Sequence, residues 1–511
     1  MVRKKKFVFI ISVAVLVCVF VFLHYKNSLF RSVFPGTPLC KDCNVLLISL
    51  DSCAANHMST YGYSRETTPN FSLLAKEGIF FEDAFANSTW TLPSHVSIFT
   101  GLYSYIHNVT QAYDSSLNSN LPLLPEILQK NGYETYFFAP KDEATFPGER
   151  VYNRGVTYWN TNYWDYHGKE DAYLSLALGT LITNNQKKRK TFVFFHTNLC
   201  HSPYITEDEP LVYTDRKFPS IPLKQSEISD APFTKEYYQY LLRRMPQGFK
   251  DGDFRRAPEK IETLLANLQN ASNFDAAKQI YEEAEKSKFW GEIGLDDYQE
   301  KFEYWDKIDT KNSDLVGYLK DLYDQKLHDM DRVVINTLKD TLDQGSWKKN
   351  TIVVITADHG EEFMEHGALG HETLYDDNTK IPLVFLIPGI RPASIKNNVQ
   401  QVDIAPTLLD LVGIFSPYKF SGKSLVNVVR GKSLQERLLI AGGDFLFHPD
   451  LTTVRDGNWK LFISEKNGSI LPYALYNTVE DANEVRDVLT GNIARVSKMI
   501  QKYKTEKESN L

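Results

Sequence analysis

The chain of 511 residues has only five cysteines, too few for a small scaffold held together by disulfides. It also lacks an excess of basic residues, since 57 lysines and arginines against 64 aspartates and glutamates give a net charge of −7. No nucleic-acid partner is therefore expected. A mean hydropathy of −0.33 excludes a polytopic membrane protein, and a 42% apolar content excludes a disordered chain. These exclusions leave a large globular protein with a sizeable core.

One long apolar run without charged residues extends from residue 7 to residue 23, directly after the basic residues 3–6. As a helix it measures about 25 Å, close to the roughly 30 Å hydrocarbon core of a bilayer. The preceding positive charge predicts residues 1–6 as a cytoplasmic tail, 7–23 as a transmembrane signal anchor and 24–43 as a tether. A cleaved signal peptide is the alternative, but no small-x-small site follows the run. The predicted localisation is a single-pass membrane protein whose globular domain lies outside the cytoplasm.

The cysteines are few enough to consider singly. Cys40 and Cys43 have Cys-x-x-Cys spacing, but a zinc site is weakly indicated because no second cysteine pair or histidine pair accompanies them. An exported chain allows a local disulfide between them, and two free thiols are the alternative. Cys53 and Cys200 are interpreted as small buried residues.

Three continuous apolar runs, each followed by polar residues, predict central parallel strands at 44–50, 191–196 and 351–356. Helical stretches at 70–78, 123–132 and 315–344 alternate with them. This alternation predicts a doubly wound, mixed but mainly parallel α/β sheet. In such sheets ligands bind beyond the carboxyl ends of the strands. Asp51, His201, Asp358 and His359 all follow a predicted strand end, which is hard to explain by packing alone.

Changes in local composition along the chain also predict the domain organisation. Residues 44–415 form the main catalytic domain, interrupted at 205–310 by a charged insertion with a helix over 257–288. Residues 416–511 form a small C-terminal α+β subdomain. Within it, residues 451–464 predict a β-hairpin that turns at Asp456-Gly457.

Hard-cation ligands follow two of the predicted strands. Asp51 comes after the first strand, and Asp358-His359-Gly360 comes after the third. Carboxylate oxygens with one imidazole suit Mg²⁺, Ca²⁺, Mn²⁺ or Zn²⁺, and the glycine permits a tight turn. His366 and His371 follow on the same segment. Three histidines near one strand end, together with an aspartate, are hard to explain as core residues.

A hydroxyl group precedes another apolar stretch in the segment TLPSHVSIFTG. Thr91 opens a predicted helix there, and the N–H groups and dipole of a helix N-terminus favour an anion. A threonine at that position can serve as an activated nucleophile. The structural alternative is that Thr91 and Ser94 only cap the helix.

Several segments together resemble the sulfatase-like branch of the alkaline phosphatase superfamily. They include NVLLISLDS, TLPSHVSIFTGLY, HSPY, TADHGEEFMEHGALGHETLYDDNTKIP and VDIAPTLLDLVGI, in the family order from about residue 44 to 462. The resemblance implies a sheet of alkaline phosphatase/sulfatase type and a divalent metal (Zn, Mn, Ca or Mg). It implies metal ligands at Asp51, Thr91, Asp358 and His359, catalytic residues at Thr91, His201 and His371, and substrate-binding residues at His95 and Lys380.

The sequence departs from the sulfatase pattern at several positions, including Pro140, which stands where sulfatases have the lysine of a Lys-x-His pair. Thr91 stands where sulfatases have the Cys or Ser that is oxidised to formylglycine, an aldehyde that threonine cannot give. His95 replaces an arginine, and Ser52 replaces a second aspartate. A threonine nucleophile followed by Asp-His-Gly resembles phosphoethanolamine and lipoteichoic acid transferases instead.

The predicted function is therefore that of a membrane-anchored, metal-dependent enzyme. It hydrolyses or transfers a phosphate or sulfate ester of a lipid or glycan through Thr91, with phosphoryl chemistry favoured. A true sulfuric ester hydrolase is one alternative. The other is a degenerate superfamily member that binds a ligand without turnover, as the changes at residues 95 and 52 suggest.

Overall fold

The computed structural model describes residues 37–110, 116–140, 146–147, 151–160, 169–204, 211–218, 221–222, 232–251, 258–286, 302–442, 450–466 and 468–510. The predicted tail at 1–6, the predicted anchor at 7–23 and most of the predicted tether lie outside the described residues. Among the helices that the structure describes, none has the length and apolar character needed to cross a membrane.

An eight-stranded sheet forms the centre of the fold. Its strands lie in the order Ala393–Ile395, Ile79–Phe81, Leu383–Leu386, Thr351–Ala357, Asn44–Leu50, Thr191–Thr197, Glu134–Phe138 and Tyr158–Asn160. In the described part of this sheet, Leu383–Leu386 runs antiparallel to its neighbours and the other pairs are parallel. The prediction of a doubly wound, mixed and mainly parallel α/β sheet is confirmed. Short strands at Ala84–Phe85, Lys380–Ile381, Val399–Gln400, Glu362–Phe363 and Leu369–Gly370 form two smaller sheets.

The three predicted apolar strands are neighbours at the centre of this sheet. Asn44–Leu50 lies between Thr191–Thr197 and Thr351–Ala357 and pairs in parallel with both. Every residue of the three strands is buried, which explains why their sequences are continuously apolar instead of alternating. Because Leu50 is in register with both Thr197 and Ala357, the residues after all three strands meet at one edge.

Helices connect the strands of the main sheet. They span Pro69–Glu77, Thr91–Thr100, Ser104–His107, Leu124–Lys130, Glu170–Gln186, Ser313–Met330, Asn336–Gln344, Asp376–Thr379, Ile404–Val412 and Val426–Val429. The helices predicted at 70–78 and 123–132 are confirmed to within two residues at each end. The helix predicted at 315–344 is interrupted by a π-helical turn at Asp331–Ile335.

Most of the described part of the predicted insertion at 205–310 is helical, although residues 211–218 are not. Its helices are Lys235–Asp251, Pro258–Gln269 and Phe274–Lys286. The helical stretch predicted over 257–288 consists of two helices, because Asn273 accepts a hydrogen bond from the Ala276 amide and starts the second one. These helices pack around an apolar cluster of their own that includes Phe233, Tyr237 and Tyr281.

A four-stranded antiparallel sheet follows, with strands Leu438–Gly442, Leu451–Asp456, Trp459–Lys466 and Ser469–Asn477 and a final helix Ile493–Asn510. The hairpin predicted over 451–464 is confirmed. Asp456 pairs with Trp459, so its turn residues are Gly457-Asn458 and not Asp456-Gly457. Gly457 has a φ of +60°, which glycine adopts without strain. The domain boundary predicted after residue 415 falls in the connection between the helices Ile404–Val412 and Val426–Val429.

The four cysteines that the structure describes form one disulfide and two free thiols. Cys40 and Cys43 form a disulfide. Cys53 and Cys200 are free and buried, which confirms their interpretation as small core residues.

The π-helical turn has a structural role, because its first residue caps another helix. The Asp331 carboxylate accepts hydrogen bonds from the Asn70 amide at 2.8 Å and from the Phe71 amide at 2.7 Å. These are the first N–H groups of the helix Pro69–Glu77, whose own N-cap residue makes no side-chain cap. Asp331 is buried, so no water can replace it easily.

We predict that Asp331→Ala lowers the free energy of unfolding by about 2–3 kcal/mol, because it leaves two buried amides without a partner. Asp331→Asn should lose less, since its amide oxygen still accepts. Urea unfolding followed by circular dichroism measures both, with the exposed Asp340→Ala as a control expected to change stability by less than about 0.5 kcal/mol. Equal losses for Asp331→Ala and Asp340→Ala would contradict the capping role.

Candidate active site

Three side chains of ligand type meet at the carboxyl edge of the central strands. The ligand atoms of Asp51, Asp358 and His359 all lie within 4.8 Å of one another. His359 Nε2 is 3.7 Å from Asp51 Oδ1 and 3.8 Å from Asp358 Oδ2. Asp51 is 3% exposed, and the other two are fully buried. The structure therefore brings together three of the four predicted metal ligands.

The backbone after each strand turns sharply and holds these carboxylates. Ser52 has a φ of 52°, uncommon for a residue with a side chain, and its amide donates to Asp358 Oδ1 at 3.1 Å. Tyr323 holds the same turn by donating from its hydroxyl to the Ser52 carbonyl at 2.6 Å. At Gly360, a Cβ atom would lie 2.0 Å from the Asp377 carbonyl oxygen, so only glycine fits. The prediction of a tight glycine turn is confirmed.

Two atoms in this group of three residues lack a hydrogen-bond partner among the described residues. They are Asp358 Oδ2 and His359 Nε2. His359 Nδ1 donates to the Gly360 carbonyl at 2.9 Å, so its Nε2 carries the lone pair. An unpaired buried carboxylate oxygen beside an imidazole lone pair is costly unless a cation lies between them. The residues therefore fit a divalent metal ion with oxygen and nitrogen ligands.

The electrostatics of the two carboxylates agree with that fit. Burial and the facing Asp51 raise the pKa of Asp358 to about 6. Burial would also raise the pKa of Asp51, but the charge of His201 and the hydrogen bond from His196 outweigh it and hold that pKa well below its usual value. The pair thus carries more negative charge than its surroundings compensate, and a cation would relieve the repulsion.

Thr91 is the first residue of the helix Thr91–Thr100 and is 5% exposed. Trp90 occupies the N-cap position and its side chain makes no cap, so the alternative in which Thr91 and Ser94 serve as caps is wrong. Ser94 Oγ donates instead to the Ser88 carbonyl at 3.1 Å. The buried helix N-terminus therefore has the chemistry of an anion site beside a threonine hydroxyl.

His371 joins this segment to the group of metal-ligand residues. Its Nδ1 donates to the Thr89 carbonyl at 2.7 Å, its ring contacts that of Trp90, and its centroid is 4.3 Å from that of His359. His201 lies next to it, with ring centroids 5.8 Å apart, and donates from Nδ1 to the Ser202 carbonyl at 2.6 Å. The structure thus brings both predicted catalytic histidines to the site, and their catalytic roles stay predictions.

The protonation of His371 follows from its surroundings. Burial, with the neighbouring His359 and His201, lowers the pKa of His371 well below its usual value. A neutral imidazole that donates from Nδ1 has an unprotonated Nε2. His371 is therefore in the neutral form that a general base requires.

The two predicted substrate-binding residues have protein partners in the structure. His95 is fully buried, with Nδ1 2.7 Å from the Thr91 carbonyl and Nε2 2.8 Å from Ser49 Oγ. Both of its nitrogens are thus used to hold the start of the Thr91 helix. Lys380 Nζ is 2.7 Å from Asp83 Oδ1. The contacts of these residues with a substrate stay predictions that the observed pairing does not favour.

Two buried residues of the site were not predicted from the sequence. His196 ends an apolar run, and its Nε2 is 3.3 Å from Asp51 Oδ2. Glu361 follows the Asp-His-Gly turn and accepts from the Tyr204 hydroxyl at 2.5 Å. A polar residue at the end of a fully apolar strand was the available signal for His196, and none distinguished Glu361 from Glu362.

This fold and this cluster define an α/β protein of the alkaline phosphatase type with a candidate metal site beside a helix N-terminus. The family model for sulfatases matches residues 43–414, and the chain belongs to the sulfatase family. The model named N-sulphoglucosamine sulphohydrolase, C-terminal, matches residues 364–509. The expected family is confirmed, and the resemblance to threonine-nucleophile transferases stays a prediction.

Relatives match along most of the chain. Arylsulfatase K of Canis lupus familiaris is 24% identical over 478 residues, 89% of this chain and 80% of the relative. N-acetylglucosamine-6-O-sulfatase of Bacteroides thetaiotaomicron is 24% identical over 430 residues, 79% of this chain and 74% of the relative. The structure of a phosphonate monoester hydrolase of Agrobacterium radiobacter superposes with a TM-score of 0.60 at 17% identity, covering 92% of this chain and 96% of the other. That structural likeness concerns the fold alone.

We predict that Asp358→Ala abolishes stoichiometric binding of Mn²⁺, because it removes the ligand whose Oδ2 lacks a protein partner. Equilibrium dialysis followed by elemental analysis measures the bound metal, and circular dichroism checks that the fold remains. Asp343→Ala, on a distant exposed helix end, is the control and should bind as the wild type does. Unchanged Mn²⁺ binding in Asp358→Ala would refute the assignment.

Proposed function

We propose that this chain is a metal-dependent hydrolase of sulfate esters, acting on a sulfated saccharide. The observation that supports it most is the match of the sulfatase family over residues 43–414, which contains Thr91 and the cluster of Asp51, Asp358 and His359. Two relatives that match most of the chain are named as sulfatases, one of them acting on an N-acetylglucosamine 6-O-sulfate. A sulfate ester carries the negative charge that a helix N-terminus and a cation both attract.

A second candidate is hydrolysis or transfer of a phosphoryl group, and Thr91 is the observation that favours it. Threonine is a secondary alcohol, so its oxidation gives a ketone and not the aldehyde of formylglycine. An enzyme without that aldehyde must form an ester on the threonine oxygen and cleave it with water or an acceptor alcohol. Phosphoryl esters of hydroxyl side chains are ordinary intermediates of this kind. In this form the enzyme would also serve as a transferase.

The residues at the site have separate tasks under either candidate. Thr91 Oγ attacks sulfur or phosphorus, and the bond from that atom to the leaving alcohol oxygen breaks. His371 accepts the Thr91 hydroxyl proton at its Nε2 and then gives that proton to the leaving oxygen, while His201 stabilises the charge that develops there. The N–H groups at the start of the Thr91 helix stabilise charge on the non-bridging oxygens. A divalent ion held by Asp51, Asp358 and His359 would supply Lewis-acid stabilisation of the same charge.

We also propose that the protein acts outside the cytoplasm, attached to a membrane by residues 7–23. The disulfide between Cys40 and Cys43 supports this location, because such bonds persist in oxidising compartments. A surface location would give the enzyme access to glycans or lipid-linked esters.

We predict that the wild type cleaves 4-nitrophenyl sulfate faster than 4-nitrophenyl phosphate or bis(4-nitrophenyl) phosphate, and that a chelator abolishes all cleavage. Release of nitrophenolate measures the three rates. A clear preference for either phosphate ester would replace the first candidate by the second. Chelator-sensitive binding without cleavage of any ester would instead support the degenerate ligand-binding protein.

We predict that Thr91→Ala lowers the rate on the best of these esters by at least about a thousandfold, because it removes the nucleophile. Thr91→Ser should retain a measurable part of the rate, since it keeps the hydroxyl. Mass spectrometry of the wild type after rapid quenching should find the transferred group on the peptide that contains Thr91. Thr100→Ala, at the far end of the same helix, controls for damage to the helix. Substantial activity in Thr91→Ala would place the nucleophile elsewhere.

A further inference from the structure

His196 lies on the central strand Thr191–Thr197, beside the strand that ends at Asp51. The side chain is buried, and its Nε2 is 3.3 Å from Asp51 Oδ2. The other oxygen of that carboxylate, Oδ1, is the one that faces His359 Nε2, at 3.7 Å. The two oxygens of Asp51 therefore have different partners, His196 on one side and the metal-ligand cluster on the other.

The proton of His196 is on the opposite nitrogen from that of the other site histidines. His201, His359 and His371 each donate from Nδ1 to a backbone carbonyl. A carboxylate oxygen can only accept, so the Nε2 atom that faces Asp51 Oδ2 at 3.3 Å is the nitrogen that carries the proton. Its Nδ1 is buried and has no hydrogen-bond partner among the described residues, so no competing acceptor draws the proton away.

Aromatic rings fix the orientation of this imidazole. The ring of Phe146 lies 4.9 Å from His196 and that of His95 lies 5.0 Å from it, both roughly edge-on. His95 is itself held by Ser49 and by the Thr91 carbonyl. The imidazole of His196, which faces Asp51, is therefore packed between two rings. One of them belongs to His95, which holds the Thr91 carbonyl.

We propose that His196 is a positioning residue that holds Asp51 by its Oδ2 and so turns Oδ1 toward the metal ion. The inference rests on the metal site of the proposed function. Groups that hydrogen-bond to a metal ligand fix its direction, and their loss typically lowers metal affinity by roughly 10- to 100-fold.

The matched pair His196→Gln and His196→Met tests this role. Glutamine and methionine have nearly the same length, but only glutamine can donate a hydrogen bond. Titration with Mn²⁺, with the free ion measured by electron paramagnetic resonance, gives the dissociation constant of each variant. We expect a dissociation constant roughly 10- to 100-fold above that of the wild type for His196→Met, and a value much nearer the wild type for His196→Gln. Phe195→Leu, on the opposite face of the same strand, controls for loss of packing.

The outcomes separate this inference from the proposed function. If His196→Met binds Mn²⁺ as tightly as the wild type, or if His196→Gln is no better than His196→Met, the positioning role is refuted. If wild type and Asp358→Ala bind Mn²⁺ equally, the metal site itself is refuted. Should His196→Met not fold, His196→Leu replaces it as the variant without a donor, and the same comparison with His196→Gln supports or refutes the role.

Discussion

The mutual repulsion of Asp51 and Asp358 is the constraint on which the rest of the site depends. Two buried carboxylates a few ångströms apart cannot both remain charged unless their surroundings compensate them. The protein supplies part of that compensation through the amide of Ser52 and the imidazole of His196. The remaining charge is balanced most simply by a cation, whose ligands are the atoms left unpaired. The proposed catalytic groups, Thr91, His201 and His371, then surround a site whose main property is that it attracts a cation.

The sheet explains why so much of this site could be predicted from the sequence. Continuous apolar runs that end in Asp51 or in Asp358-His359 identify parallel strands, and parallel strands deliver their following residues to one edge. The local pattern did not indicate which strands are neighbours, since register depends on contacts between distant segments. Asn44–Leu50 pairs with Thr191–Thr197 on one edge and with Thr351–Ala357 on the other.

The features that could not be predicted are those decided by such distant contacts. His95 matched a substrate-binding position, but Ser49 on a neighbouring strand takes the nitrogen that a substrate would need. The sequence placed the hairpin turn one residue too early, since only the pairing of Asp456 with Trp459 defines its ends. The left-handed conformation of Ser52 has no local signal either, because it is imposed by bonds to Tyr323 and Asp358.

Under the proposed function, a threonine nucleophile at position 91 determines the chemistry of the second step. A formylglycine hydrate can expel the transferred group by breaking its own carbon–oxygen bond, because a second hydroxyl remains on the same carbon. A threonine ester has no such hydroxyl, so water or an acceptor alcohol must attack sulfur or phosphorus directly. The acceptor needs a base, and His371 can serve again because its Nδ1 remains bound to the Thr89 carbonyl while Nε2 exchanges protons. If Thr91 is the nucleophile, as we propose, a base is needed in both steps, and His371 is our candidate for it because its Nδ1 is bound to the Thr89 carbonyl and leaves Nε2 for proton transfer.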